Sequence, residues 1–276
     1  MLTHWIILAA TSGALASPLT FEMKGKPTAA WERAEAETKT APVEVEIWEP
    51  HEKKNVKYRG FAFQSLLTAA YGDAWKAQDE ILFTCSDGYQ PSVPVQRFLS
   101  TPSYLVFERV GSPNFELTNT LQRNEKVTLG PYYLVWDNAG DPEKEIKGAN
   151  GWPYQVEKVD LVRFADRFPQ MAPPPGSDAK TVAGFNAFRE NCAKCHSVNG
   201  DGGLKGIELN YPVSVTEYFK REWLKQWILD PSKVRLKTSM PGLPHGWKNR
   251  LVLAEDIIAY LETMSEHKKA PKELVQ

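Results

Sequence analysis

Apolar and polar residues alternate along the first part of this chain and recur at helical spacing along the last part. VEVEIW (43–48) places an apolar side chain at every second position, the period of a half-buried strand. EILFTC (80–85), SYLVFERV (103–110), YYLVWD (132–137) and VEKVDLVRF (156–164) read as strands in the same way. Between the first two, FQSLLTAAYG (63–72) gathers Leu66, Leu67, Ala70 and Tyr71 on one side of a short helix that Gly72 ends. Beyond residue 178 the period changes. Val182, Phe185, Phe188 and Cys192 share a helix face, and Asp178 stands where an N-cap belongs. SVTEYFKREWLKQWILDP predicts a second helix from about Thr216, stopped ahead of Pro231. LAEDIIAYLETMSEH predicts a third, with Leu253, Ile257, Tyr260, Leu261 and Met264 as its stripe. The pattern therefore gives an α+β region of mostly β content followed by an all-α region. The proline run in FPQMAPPPGSD marks the change, since consecutive prolines make a stiff, extended connection. The expected organisation is a domain over 17–167, a linker over 168–177 and a second domain over 178–276.

The N-terminus adds a location. The apolar run from Trp5 to Ala16 ends in Ala14-Leu15-Ala16, a small-x-small site, so residues 1–16 read as a secretory signal peptide. An uncleaved anchor is the competing reading, but the run is too short to span a bilayer, and no later segment is long and apolar enough. A periplasmic mature protein with no transmembrane segment is expected. A formal net charge of −1 over 276 residues gives no reason to expect nucleic acid or an acidic membrane surface as the main partner. Export implies an oxidising compartment, yet three cysteines are too few for a disulfide scaffold.

Two of those three lie in ENCAKCHSVNG (190–200), as Cys192 and Cys195 with His196 directly behind. Cys-x-x-Cys-His is the attachment signature of c-type haem. On a helical turn, cysteines at i and i+3 lie on one side, so both sulfurs can add to the vinyl groups along one porphyrin edge while the histidine points a ring nitrogen at the iron. Zinc would call for further ligands, usually a second Cys/His pair, and the sequence offers none. A redox dithiol belongs at the start of a helix after a strand, whereas this motif ends a helix. An electron carrier also needs a ligand on the opposite face of the iron. LKTSMPGL supplies Met240 in a loop between a helix-stopping Asp-Pro and the last helix, with His245 as the rival. A thioether ligand raises the reduction potential.

Residues 178–268 thus resemble a class I cytochrome c domain. The resemblance rests on Gly184 and Phe188, CAKCH, GGLKGIEL, WLKQWILDPSKV, TSMPG, and EDIIAYL with Tyr260. It implies that the first and last helices cross, with Gly184 against Tyr260. It also implies one covalent haem c held by Cys192 and Cys195, its iron ligated by His196 and Met240. The family often carries Gly-Pro-x-Leu, whose proline carbonyl holds the proximal histidine; here Gly206-Ile207-Glu208-Leu209 stands there, and the Ile207 carbonyl is the expected acceptor. Trp223 and Trp227, at i and i+4 on one side of a helix, are expected in the core, with a haem-propionate contact as the alternative. Trp247, Lys248 and Arg250 are candidates for propionate contacts or a solvated loop. Lys194, Lys205, Lys233, Arg235 and Lys237 either ring the haem edge to steer an acidic redox partner or form a plain solvated face.

In the N-terminal region, YRGFAFQSLLTAAYG, DEILFTCSDGYQPSVPVQRFL, YLVFERVG, LGPYYLVWDN and WPYQVEKVDLVRF resemble the sulfite-oxidase, or oxidoreductase molybdopterin-binding, fold over roughly residues 40–166. The resemblance implies a cysteine thiolate on molybdenum shortly upstream of YRGFAF, but IWEPHEKKNVKYRG contains none, and His51 is no substitute for a thiolate. Cys85 reads as a buried structural thiol, with an unusual metal ligand or a reactive thiol as the alternatives, and Asp87-Gly88-Tyr89 as a tight turn rather than a catalytic pair. A fold without the molybdenum cofactor is the expectation. The leading functional expectation is an exported electron-transfer protein whose N-terminal domain docks a periplasmic dehydrogenase or terminal oxidase. The alternatives are a molybdopterin-dependent oxidoreductase acting on a small oxyanion such as sulfite, with the haem as internal acceptor, and a non-redox binding module.

Overall fold

The structure, a computed structural model, describes residues 18–120, 124–138 and 151–271. The expected signal peptide at 1–16 lies outside them. No helix among the described residues is long and apolar enough to cross a membrane.

The chain opens with a hairpin of β1 (Leu19–Met23) and β2 (Lys26–Trp31). It turns at Lys24 and Gly25, both at positive φ, where glycine costs little and lysine is strained. Helix α1 (Arg33–Lys39) leads into β3 (Val43–Glu49) and β4 (Lys54–Ala62), then α2 (Phe63–Tyr71). Strands β5 (Glu80–Cys85) and β6 (Ser92–Pro94) precede α3 (Val95–Ser100). Then come β7 (Ser103–Arg109), β8 (Glu116–Asn119), β9 (Glu125–Thr128), β10 (Tyr133–Trp136) and β11 (Val156–Val162). Two sheets result, in the orders β2-β1-β11-β5-β6 and β10-β7-β4-β3. All pairings in them are antiparallel except β1 with β11, which joins the two ends of this region. Aromatic side chains tie the sheets together through α2 and α3. Phe63 meets Phe83 and Phe98, and Phe98 lies 4.7 Å from Trp136, ring to ring.

The five strands read from alternation are present within a residue or two of their expected ends. The hairpin β1–β2 and strand β4 are not among the strands expected from alternation; each pairs first with its sequence neighbour, β1 with β2 and β4 with β3. Strand β5 is buried on both faces. Ile81, Phe83 and Cys85 enter the sandwich core, while Leu82, beside Val162, packs into the helical core that follows.

That helical part consists of α4 (Phe164–Arg167), α5 (Ala179–Asn191), α6 (Val215–Tyr218), α7 (Arg221–Leu229) and α8 (Arg250–Ser265). The helix expected from Thr216 is divided. Ser214 and Glu217 form a capping box for one short turn, after which Phe219 and Lys220 are extended and α7 begins. Phe219 sits 6.0 Å from Trp227, ring to ring. Segment 168–177 starts inside this core: Phe168 and Met171 are buried, and the Tyr260 hydroxyl donates to the Met171 carbonyl at 2.7 Å. The buried face of α5 is Thr181, Gly184, Ala187 and Phe188, not the one drawn through Val182, which is exposed. The reason is a close crossing with α8, in which a Cβ at Gly184 would run into the Asp256 carbonyl.

One half-buried charge pair in the sandwich gives a pH signature. Glu52 receives both Arg109 terminal nitrogens (3.1 and 2.8 Å) and the Thr118 N–H (2.9 Å). Burial alone raises its pKa, but the hydrogen bonds from Arg109 and Thr118 and the nearby Lys54 outweigh it and bring it to about 2 from 4.5. A depressed folded-state pKa means stability that is present above the ordinary carboxylate range and is lost as pH falls from about 4.5 toward 2. Glu52→Gln is expected to cost on the order of 2–3 kcal/mol at neutral pH and to flatten the acid limb of a stability-versus-pH curve from chemical denaturation.

Candidate functional site

Helix α5 delivers the cysteine motif. Its N-cap Asp178 accepts the Thr181 N–H at 2.7 Å, as the sequence predicts. At the other end Cys192 is the C-cap, and its N–H donates to the Phe188 carbonyl at 2.7 Å. The Cys195 and His196 N–H groups then both donate to the Cys192 carbonyl at 2.9 Å. One turn therefore carries both sulfurs and the imidazole. Burial pushes the Cys192 thiol up to about 12 and raises that of Cys195 as well. Neither is a thiolate at neutral pH, which is the wrong poise for a redox dithiol. No cluster of three or more His, Cys, Asp or Glu suited to a metal ion occurs among the described residues.

His196 is fixed by the loop that follows. Its Nδ1 lies 2.8 Å from the Ile207 carbonyl, so Nδ1–H donates there and Nε2 keeps its lone pair. Burial lowers its pKa and favours the neutral ring that a metal ligand must be. The expected acceptor is the observed one. The close approach also demands Gly206, since a Cβ there would sit 2.5–2.9 Å from the ring atoms of His196. Gly203 is held likewise, its N–H donating to the Ala193 carbonyl at 2.7 Å. Glu208 clamps the loop by accepting the N–H groups of Asn199, Gly200, Asn210 and Tyr211 at 2.8–3.1 Å. Sequence reasoning missed Gly206 and Glu208 as positioning residues. The only sequence signal was that both fall within the GGLKGIEL segment.

Met240 lies half-buried in the loop between the short 3-10 turn Pro231–Lys233 and α8. That loop is pinned just beyond it. The Leu243 N–H donates to the Ile228 carbonyl at 3.0 Å, and a Cβ at Gly242 would collide with the Leu229 carbonyl. His245, the rival ligand, is exposed, with its Nδ1 accepting from Arg250 at 3.1 Å. Ile207, next to the glycine under the imidazole, is 62% exposed, and Leu236, four positions before Met240, is 82% exposed. Two sulfurs, a neutral imidazole with one free nitrogen, a methionine in a loop fixed just beyond it and uncovered apolar side chains form a donor set that suits a covalently held porphyrin.

The remaining candidates divide. Trp223 is more than half exposed rather than in the core, and Trp227 is half-buried. Lys205 is drawn to the N-terminal region by Asp87, at 2.5 Å. Lys233, Arg235 and Lys237 are exposed. Cys85 is buried, its thiol raised by burial. Asp87 accepts the Tyr89 N–H at 3.0 Å with Gly88 at φ +83°, the expected tight turn. His51 is buried and locked, with Nδ1 2.7 Å from Glu49 Oε1. Glu49 also accepts from the hydroxyls of Tyr58 (2.9 Å) and Tyr133 (3.1 Å).

Residues 181–265 match the family model for cytochrome c. A search among curated proteins found no match to the chain. The match covers the whole motif, the His196 loop and the Met240 loop, and it carries with it covalently bound haem c and a haem-based electron-transfer role. The N-terminal region is mostly β.

Proposed function

We propose that this protein is an exported c-type cytochrome that carries single electrons on one haem. Cys192 and Cys195 would hold the haem through thioether bonds, and His196 and Met240 would ligate its iron. The observation that carries this reading is the single turn that presents both thiols and the imidazole, with His196 Nδ1 tied to the Ile207 carbonyl. When bound, the haem supplies a one-electron ferric/ferrous couple. The chain's own residues define what that couple does. His196 and Met240 would ligate the haem iron from the two loops described, leaving the haem to move electrons rather than bind substrate. The carbonyl bond on Nδ1 increases the electron donation of His196, while the thioether of Met240 favours the reduced form.

The N-terminal domain, 17–167, has in this reading the sulfite-oxidase-like fold without molybdopterin. The region where that family places its metal-binding thiolate holds a His51 already committed to Glu49 and Tyr133, and Cys85 faces the sandwich core. The domain serves to dock a periplasmic redox protein, a dehydrogenase or terminal oxidase. Met240→Ala tests the axial assignment. The weak far-red band of sulfur-ligated ferric haem is expected to vanish and the reduction potential to fall. An unchanged band would assign the sixth position to another residue.

A further inference from the structure

The helical region does not hang free on its linker. Leu82 and Val162, on the outer face of the β5–β11 pair, are buried with Phe164, Phe188 and Ala193 in the helical core. Arg189 pairs with Glu80 of β5, its guanidinium 4.1 Å above the Phe164 ring. The closest meeting point is the turn after β5. The Gln90 N–H donates to the Lys194 carbonyl at 2.7 Å, and the Leu204 N–H donates to the Gly88 carbonyl at 2.8 Å. These two main-chain bonds bracket Cys195: Lys194 precedes it, and Leu204 follows Gly203, which packs against the 194–195 peptide. Asp87 pairs with Lys205, whose ammonium lies 5.7 Å from the Tyr89 ring centroid and 5.4 Å from that of Tyr154. Gly88 has φ +83°, and a Cβ there would stand 2.9 Å from the Leu204 carbonyl carbon and the Lys205 nitrogen. The contact is thus made backbone to backbone at a position that only glycine fits.

We propose that the turn 86–90 of the N-terminal domain is a built-in cover for the Cys195 side of the haem attachment segment, closing that edge to water and to external redox partners. The inference rests on haem attachment at Cys192 and Cys195. A porphyrin stitched to these sulfurs would lie against this segment, and the turn that bonds the backbone of Lys194 and Leu204 would lie beside its thioether edge. Excluding water there disfavours the ferric form, which carries one more positive charge, and so raises the potential. The Asp87–Lys205 pair leaves the cover locally neutral. Tyr89 is half-buried with the Lys205 ammonium over its ring, and burial raises its hydroxyl pKa, as expected of a dry junction.

The test uses the full haem-loaded chain with Gly88→Val, Lys205→Asp and the exchange Asp87→Lys with Lys205→Asp. Each variant is read by redox titration, by its rate of reduction by a small hydrophilic reagent, and by limited proteolysis of the 172–177 segment. Gly88→Val is expected to expose that segment, to speed reduction, and to lower the equilibrium constant for reduction about tenfold, which is about 59 mV for one electron. Lys205→Asp is expected to shift all three in the same direction, and the exchanged pair to restore them, which keeps the test decisive if Gly88→Val does not fold. A potential and reduction rate unchanged while the segment becomes protease-sensitive would overturn the cover, as would failure of the exchanged pair to restore Lys205→Asp. Wild-type chain lacking covalent haem would remove the attachment reading itself, an outcome read from the visible spectrum before any variant is compared.

Discussion

Changing both Cys192 and Cys195 to alanine should abolish covalent pigment altogether. In a host competent for cytochrome maturation, any haem the variant retains through His196 and Met240 should pass into acidified acetone, while wild-type pigment stays with the polypeptide. The expectation follows from the local geometry. Both thiols rise from one turn of backbone closed by the Cys192 carbonyl, and Cys85, the third cysteine, lies in the sandwich core and cannot substitute. The single changes should be graded: one remaining thioether holds the haem against extraction, with an altered spectrum. If the double variant retained pigment through acid extraction, attachment would lie elsewhere.

Gly184→Val should have the largest effect on stability. Helices α5 and α8 cross at Gly184, where an added Cβ would strike the Asp256 carbonyl and stand 2.9 Å from Tyr260 Cβ. No side-chain rotation relieves a collision with main chain, so the helices must separate. Separation loosens the rings of Phe185 and Phe188 around Tyr260, 5.6 and 5.2 Å from it, and the hydroxyl bond to Met171. Overpacking of this kind is expected to cost about 3 kcal/mol or more, a fall in Tm of roughly 10 °C, measured by thermal melting of the haem-loaded protein. Val182→Ala, on the exposed side of the same helix, should leave Tm almost unchanged.

The first effect was open to a reader of the sequence because its chemistry is local: a Cys-x-x-Cys-His run needs only its own turn. The Gly184–Tyr260 crossing was expected from the family resemblance alone, since the periodicity of α5 drew its buried face through the exposed Val182. Strand β5 was legible for a related reason, since six residues of EILFTC carry their own boundaries. Other features were not legible, and each depends on a distant partner. The β1–β2 hairpin turns on Lys24-Gly25 and is completed by parallel pairing with β11, a contact that no local pattern encodes. Phe219 looks helical in sequence but is extended between two short helices. Gly206 carries no mark of its purpose until the His196 ring is seen against it. Lys205 reads as one of several surface cations, yet it is committed to Asp87 across the junction. The double burial of β5 is the clearest case: alternation identifies a strand, and only the packed helical region shows why Leu82 is apolar.

Where the pigment is bonded decides the electron-transfer reading most directly. Digestion of protein matured in a cytochrome-competent host, followed by mass measurement of the peptide spanning Cys192 to His196, tests this in one step. The predicted result is that peptide carrying the mass of a single haem, with one iron per chain. An unmodified peptide with two free thiols, or haem on any other segment, would contradict it.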